Sequence, residues 1–361
     1  MEDRIIFQEE KDEFYITAKK RVNDYFMEIG EIGKKNIFLY FKAILFLSIH
    51  VILYLLLLKS ENIWIAASCM ILMGPMSILI GINIAHDGAH GAISKYKIVN
   101  KFFLSLLDFL GANSYMWKNR HVHSHHLYPN ILNSDADLKQ NPLIRIFPND
   151  ELKSYHRYQY LYAPFLYLLY TMNWLLFRDF HDFTAEKIGS FKIKQHPKNE
   201  FLKLLLFKSI YLSYILIVPV IYSNLSISAI ILSYILMNFS ASILITLALI
   251  PSHVAENSLF PLPDEKGMMP NSWSHHQVLT IIDFATKNRF LNFFFGGFNH
   301  HVAHHLFPKI CHIHYPKITP IIKQTAQEFG LKYNYEDSFI NAYISHFKLL
   351  KNNGKLILNQ T

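Results

Sequence analysis

Three short stretches of this sequence carry histidines at helical spacing. They are His86-Asp87-Gly88-Ala89-His90, then His121-Val122-His123-Ser124-His125-His126, then His300-His301-Val302-Ala303-His304-His305. His86 and His90 are one helical turn apart, and so are His121 and His125, with His126 on the adjoining edge. His301, His304 and His305 share a face by the same rule, whereas His123 and His300 turn away from their neighbours. Clustered neutral imidazoles suit a borderline metal such as iron, zinc or copper. Any one stretch alone is also explained as a basic turn or a capped helix end, but three of them around long apolar segments are not. His253, directly after an apolar run, is a ninth candidate ligand. A zinc site takes about four ligands, so nine imidazoles point to two ions with roughly four to five nitrogens each. Asp87, Asn130, Glu256 and Asn299 flank the clusters and are the candidates to orient ligand rings from outside.

The elements that must carry these residues are apolar. Of 361 residues 51% are hydrophobic and only 17% charged, against about a quarter charged in an average soluble domain. Four runs, 36–58, 63–85, 201–222 and 226–250, have the ~20 residues a membrane-spanning helix needs. Short loops at 59–62 and 223–225 join them into two hairpins. Each hairpin returns the chain to its starting side, which puts His86 and His253 on the side of the N-terminus. Lys11, Lys19, Lys20, Arg21, Lys34 and Lys35 make that side cytoplasmic by the positive-inside rule. Lys42, inside the first run, is expected to snorkel toward the interface.

Val99–Met116 and Tyr160–Phe177 are too short or interrupted to span; the first reads as a re-entrant or interfacial helix and the second as interfacial. A crossing at the second would throw the later histidines to the opposite side. Phe14, Ile16, Val22, Tyr25, Phe26 and Ile29 recur at helical spacing among charges, as in a helix lying on the membrane surface. The expected architecture is an all-α membrane protein with four transmembrane helices in two hairpins, interfacial helices and a cytosolic helical cap. It is a single domain, 1–361, divided into an N-terminal arm (1–35), a membrane part (36–250) and a cap (251–361).

Several functions are disfavoured at once. The net charge of +8 is broken up by apolar runs, which fits an anionic lipid surface and not a nucleic-acid stripe. Cys69 sits in an apolar run and Cys311 in a polar segment, so neither a disulfide nor an iron–sulfur site is expected. The N-terminus lacks the pattern of a secretory signal. A histidine-rich metal transporter would carry ionisable residues along its spans, yet acid and histidine are absent there apart from His50.

The order His-x-x-x-His, His-x-x-x-His-His, His-x-x-His-His, separated by paired spans, resembles the membrane fatty acid desaturases over nearly the whole chain. Ser252-His253-Val254-Ala255-Glu256, Asp283-Phe284-Ala285, Gly296-Gly297-Phe298-Asn299, His304-His305-Leu306-Phe307-Pro308 and Cys311-His312-Ile313-His314-Tyr315-Pro316 resemble the bacterial acyl-CoA or acyl-lipid branch. The resemblance implies two irons held by His86, His90, His121, His125, His126, His253, His301, His304 and His305. It also implies O2 as co-substrate, an acyl chain in a bent tunnel, and removal of two hydrogens from adjacent methylenes with both oxygens leaving as water.

It departs at His301, where front-end members carry Gln, and at Leu249, where some relatives carry an Asn that helps the metal through water. A fused haem domain would show His-Pro-Gly-Gly, but His196-Pro197 is followed by Lys198-Asn199. The two electrons are therefore expected from a separate donor, a ferredoxin or a cytochrome-b-type protein with its reductase. The nearest rival is a hydroxylase of the same superfamily, which would insert oxygen instead. Termini and histidine clusters are expected in the cytoplasm, at the plasma membrane in a bacterium.

Overall fold

The computed structural model describes residues 5–8, 12–30, 36–138, 142–193 and 195–355. Four of its helices are long and apolar enough to cross a membrane: α2 (Ile37–Lys59), α3 (Ile63–His90), α7 (Glu200–Tyr222) and α8 (Ile227–Ser252). The remaining helices used below are α1 (Glu13–Glu28), α4 (Lys97–Leu104), α5 (Ser114–Arg120), α6 (Gln159–Tyr167), α9 (Trp273–Thr280), α10 (His301–Leu306), α11 (Tyr315–Glu328) and α12 (Phe339–Asn353). Among the described residues strand is confined to two short pairs, β1 (Lys187–Ile188) antiparallel to β2 (Phe191–Lys192) and β3 (Asp283–Phe284) parallel to β4 (Tyr335–Glu336).

The spans form the two expected hairpins. Asn62 caps α3 by accepting the Trp64 N–H at 2.8 Å, and Ser226 caps α8 through Ala229. Hydrocarbon gives helices no hydrophobic reason to associate, so close backbone approach and polar links do the work. At Gly74 any Cβ would collide with the Met237 carbonyl, and Ser240 Oγ donates to the Ile71 carbonyl at 2.7 Å, so α3 and α8 cross almost backbone to backbone. Tyr54 OH on α2 donates to the Tyr214 carbonyl on α7 at 2.7 Å. The outer faces stay apolar and bare, with Phe41, Ile44, Ile52 and Leu56 of α2 each at least half exposed.

Residues 99–116 and 160–177 break into short helices and turns, in keeping with their reading as non-spanning. α1 behaves differently from the expectation. Phe14, Ala18 and Val22 are buried in one core with Ile318, Ile322 and Ala326 of α11, and Arg21 pairs with Glu328 at 2.6 Å. A protein surface takes up Phe14, Ala18 and Val22 of the α1 stripe, while Ile16 stays exposed. Asp12 caps α1 through Tyr15 and also accepts from Ser272 and Ser274 at the start of α9. Of the basic residues used to orient the chain, Lys19, Lys20 and Arg21 lie on α1, while Lys11, Lys34 and Lys35 lie outside the described residues.

Lys42 does not snorkel. It is 1% exposed, and its Nζ reaches Asn83 and His312 within the protein. Both cysteines are free, and both are buried, Cys311 included although its segment is polar.

Candidate metal centre

The nine histidines singled out above come together in two groups, although they are spread over four chain segments. His86, His90, His121, His126 and His304 form one; His125, His253, His301 and His305 form the other. Within each group one nitrogen per residue lies within 4.8 Å of the others, and every ring is buried.

Two local distortions sort the rings. At the C-terminal end of α3, residues 81–85 form a π-turn in which the His86 N–H bonds to the Gly81 carbonyl. A second π-turn, His121–His125, follows α5, and the His126 N–H bonds to the His121 carbonyl at 3.0 Å. Such wide turns are characteristic of functional sites. The regular-helix reading put His121 and His125 on one face; the π-turn instead pairs His121 with His126 and sends His125 to the other group. In α10 regular spacing holds, with His301 and His305 in the four-histidine group and His304 in the other. The approach of α10 depends on Gly296, whose φ is +57° and where any Cβ would strike the Ile82 carbonyl of the first π-turn.

The Nδ1 atoms of His121, His125, His253, His304 and His305 are held from outside, those of His86, His126 and His301 have no hydrogen-bond partner, and Nε2 atoms converge. His121 Nδ1 lies 2.9 Å from Asp137 Oδ2, and His125 Nδ1 lies 2.9 Å from Asp135 Oδ1. A carboxylate only accepts, so both rings carry their proton on Nδ1 and leave the Nε2 lone pair free. Asn130 donates to the carbonyls of His253, Leu259 and Thr280, which turns its Oδ1 to His253 Nδ1 at 3.1 Å. Gln277 donates to the His126 carbonyl and so faces Oε1 to His305 Nδ1 at 2.9 Å. Tyr315 OH lies 3.3 Å from His304 Nδ1. Outer partners of this kind fix tautomer and ring orientation in metal sites.

The inward atoms fit a cation. His121 Nε2, a lone pair, lies 3.1 Å from both His86 Nε2 and His126 Nε2. His253 Nε2, likewise a lone pair, lies 2.7 Å from His301 Nε2. The Nε2 atoms of His90, His304 and His305 are buried without any hydrogen-bond partner. Ligand nitrogens about 2.1 Å from one ion in near-octahedral array stand roughly 3 Å apart, the spacing seen here.

Electrostatics point the same way. Burial first, then the neighbouring imidazoles, push His126, His253, His301, His304 and His305 well below the ordinary histidine value of 6.5. Burial lowers His121 to about 3 against the opposing pull of Asp137. His125 differs: burial lowers it, but Asp135 and Asp137 more than offset that and raise it. Rings that resist protonation keep their lone pairs for a metal.

The other singled-out residues divide. Asn130 faces the His253 ring through its Oδ1. Asp87 accepts from the backbone and ring of His312 and has Oδ1 3.8 Å from His86 Nδ1. Glu256 does not reach a ligand histidine: it pairs with Lys348 at 3.3 Å on the surface, because the chain has already turned away from the site after His253. Asn299 donates to Asn292 and not to a ligand ring. His123 stacks on Phe191, and His300 bonds Thr319 and Asn292, both clear of the two groups. Sequence reasoning missed Asp135, Asp137, Gln277 and Tyr315. The Asp-x-Asp that begins nine residues after His126 was the available signal for the first two.

A cavity of about 410 Å³ adjoins the centre. His86, His121, His125, His253 and His301 line one part, and Ile78, Leu107, Trp117, Met237, Ala241 and Ile245 continue the wall between the spans. Trp117 also stacks on His121 at 4.7 Å. Four spans, two nitrogen groups and an apolar cavity in contact with both can accept a long hydrocarbon and hold it beside a pair of ions.

Comparison with known proteins agrees. The model of the family described as fatty acid desaturase matches residues 61–337. The chain is 32% identical over 356 residues to the sn-1 linoleoyl-lipid 6-desaturase of Synechocystis sp., covering 98% of each chain. It is 33% identical over 350 residues to the protein of the same description from Arthrospira platensis, covering 94% of this chain and 92% of the relative. It is 29% identical over 348 residues to the acyl-lipid (8-3)-desaturase of Physcomitrium patens, covering 96% and 72%.

Proposed function

This chain belongs to the fatty acid desaturase family, and from that premise we propose that it introduces a C=C bond into the acyl chain of a membrane lipid. It is an oxidoreductase. The observation that carries the proposal is the contact between the two histidine groups and the apolar cavity. The acyl-lipid carrier, in preference to acyl-CoA, follows the relatives, whose descriptions name lipid-linked substrates.

His86, His90, His121, His126 and His304 would hold one iron, and His125, His253, His301 and His305 the other. Two irons bound there would supply the reductive activation of O2, chemistry that side chains alone do not provide. In balance, the acyl chain loses two hydrogens, and O2 takes two further electrons and two protons to leave as two waters. The electrons come from a separate ferredoxin or cytochrome-b-type partner.

The protein's own residues position and enclose. Asp135, Asp137, Asn130 and Gln277 hold the rings from behind, so the ligand set is preorganised. The apolar wall formed by Ile78, Met237, Ala241 and Ile245 excludes water and fixes which methylenes lie beside the centre, since placement decides which C–H bond reacts. Both hairpins open toward the cytoplasm in this reading, with the histidine clusters and termini on that side and the whole chain acting as one unit.

The test is expression in a host lacking the activity, with iron and a working donor, followed by fatty acid profiling that locates double bonds. New acyl chains lighter by two hydrogens are expected. Chains heavier by one oxygen would make it a hydroxylase, and an unchanged profile would count against both.

A further inference from the structure

Behind the five-histidine group lies a buried charged chain that ligation alone does not explain. Lys42, on α2, is 1% exposed. Its Nζ touches Asn83 Oδ1 and lies 2.8 Å from His312 Nε2. Asn83 stands in the first π-turn and donates to the carbonyls of Leu79 and Phe294, so its oxygen is the end offered to Lys42. An ammonium only donates, so His312 Nε2 accepts and the ring proton sits on Nδ1. That Nδ1 donates to Asp87 Oδ2 at 2.8 Å, and the His312 backbone N–H adds a second bond at 3.2 Å. The other carboxylate oxygen, Oδ1, stands 3.8 Å from His86 Nδ1, which has no hydrogen-bond partner of its own.

Isolated buried charges are expensive, and partnering both ends removes most of that cost. The neutral imidazole of His312 does this by showing an acceptor to the cation and a donor to the anion. Burial, reinforced by Lys42, pushes His312 down to about 4, in keeping with a neutral ring. The consequence is geometric: with Oδ2 committed to His312, Oδ1 of Asp87 is the oxygen left facing His86.

We propose that Lys42 and His312 are positioning residues for the five-histidine metal site, fixing Asp87 so that it steers the His86 ring toward the other ligands. The proposal rests on the reading of the nine histidines as ligands of two metals. It joins the first span, the first histidine cluster and the segment after the third cluster into one device.

The test uses the full chain purified in detergent from iron-replete cells: wild type, K42M, H312L, H312Q and H312N. Iron per chain, chelator competition and the Mössbauer spectrum are the readouts. Glutamine offers a carbonyl to Lys42 and an amide N–H to Asp87, so H312Q keeps wild-type iron and spectrum. K42M and H312L release iron from one site about 10–100-fold more readily, with the signal of the four-histidine site unchanged. Should K42M or H312L fail to fold, H312Q against H312N decides, because asparagine has the same polarity but is too short to bridge. The proposal is overturned if K42M and H312L, or H312N in their place, bind iron as wild type does. It is equally overturned if H312Q is perturbed as much as they are. A wild-type protein that binds no metal would instead remove the site reading beneath it.

Discussion

The imidazoles of His126 and His305 stack at 4.1 Å with their planes 18° apart, although they belong to different nitrogen groups. His125 and His126, adjacent in sequence, are likewise divided between the groups. The two groups therefore share a wall, yet each has rings of its own. Substitution H304A removes a ligand from the five-histidine site, and H301A removes one from the four-histidine site. Each is expected to reduce bound metal from two ions per chain toward one, with the four-histidine site, having fewer ligands to spare, the more sensitive. Metal analysis of the purified chains checks this; two ions retained in both variants would separate these histidines from metal binding.

Asp135 and Asp137 hydrogen-bond different rings. Asp135 also accepts the N–H groups of Asn130, Asp137 and Leu138, so it shapes the turn that follows the second cluster. Asp137 pairs with Arg120, which is itself bonded to Asp182. D135N is expected to weaken metal at the four-histidine site through His125, and D137N at the five-histidine site through His121. Each loss is about 10–100-fold in affinity, read by chelator competition. Equal weakening of both sites by either variant would argue against the separate pairing.

Spacing picked out eight of the nine histidines that converge in the two groups, because three clusters at helical intervals leave few other uses for so many imidazoles. The spans were legible because their length is set by the bilayer. What sequence did not disclose were the π-turns: a regular helix puts His121 with His125, and one extra residue per turn reassigns both. Nor was Lys42 legible, since its partners His312 and Asn83 come from distant segments. Gln277 was hidden for the same reason, reaching His305 from a helix that carries no ligand. Glu256 was misjudged because closeness in sequence to His253 does not carry through the turn that follows it.

His346, on α12, titrates apart from the metal ligands. Its Nδ1 donates to the Val254 carbonyl at 2.7 Å and its Nε2 accepts from Tyr167 OH at 2.9 Å, so the neutral ring is fully used. Burial, only partly opposed by the Val254 contact, lowers it from 6.5 to about 4. The unfolded chain then takes up the proton first as pH falls. Stability from this group is complete above about pH 6.5 and is lost as pH drops toward 4, by about 3 kcal/mol at most. H346Q is expected to flatten the pH dependence of thermal unfolding between pH 7 and 4 in detergent. An unchanged slope would show that His346 does not set it.

Gly74 permits the tight crossing of α3 and α8. Replacing it with alanine places a methyl group against the Met237 carbonyl and Ser240, and backbone cannot yield as a side-chain tip does. Overpacking of this kind costs about 1–3 kcal/mol. G74A is expected to melt at lower temperature, and to loosen the bond from Ser240 to the Ile71 carbonyl. Unaltered melting would mean that the helices part without penalty.

Met237, Ala241 and Ile245 recur one turn apart on α8, and all three line the cavity beside the metal centre. Ala241 is the smallest of the three and is 6% exposed, so a larger side chain there must enter the cavity or push the helix outward. If the cavity holds the acyl chain, A241F shortens the space open to it while leaving every ligand nitrogen in place. The variant is expected to retain its metal and to lose turnover of long acyl chains more than of short ones. Fatty acid profiling across a chain-length series, alongside metal analysis of the same preparation, makes the comparison. Equal loss at every length with metal intact would place the acyl chain elsewhere, and loss of metal would show that the helix, not the cavity, had given way.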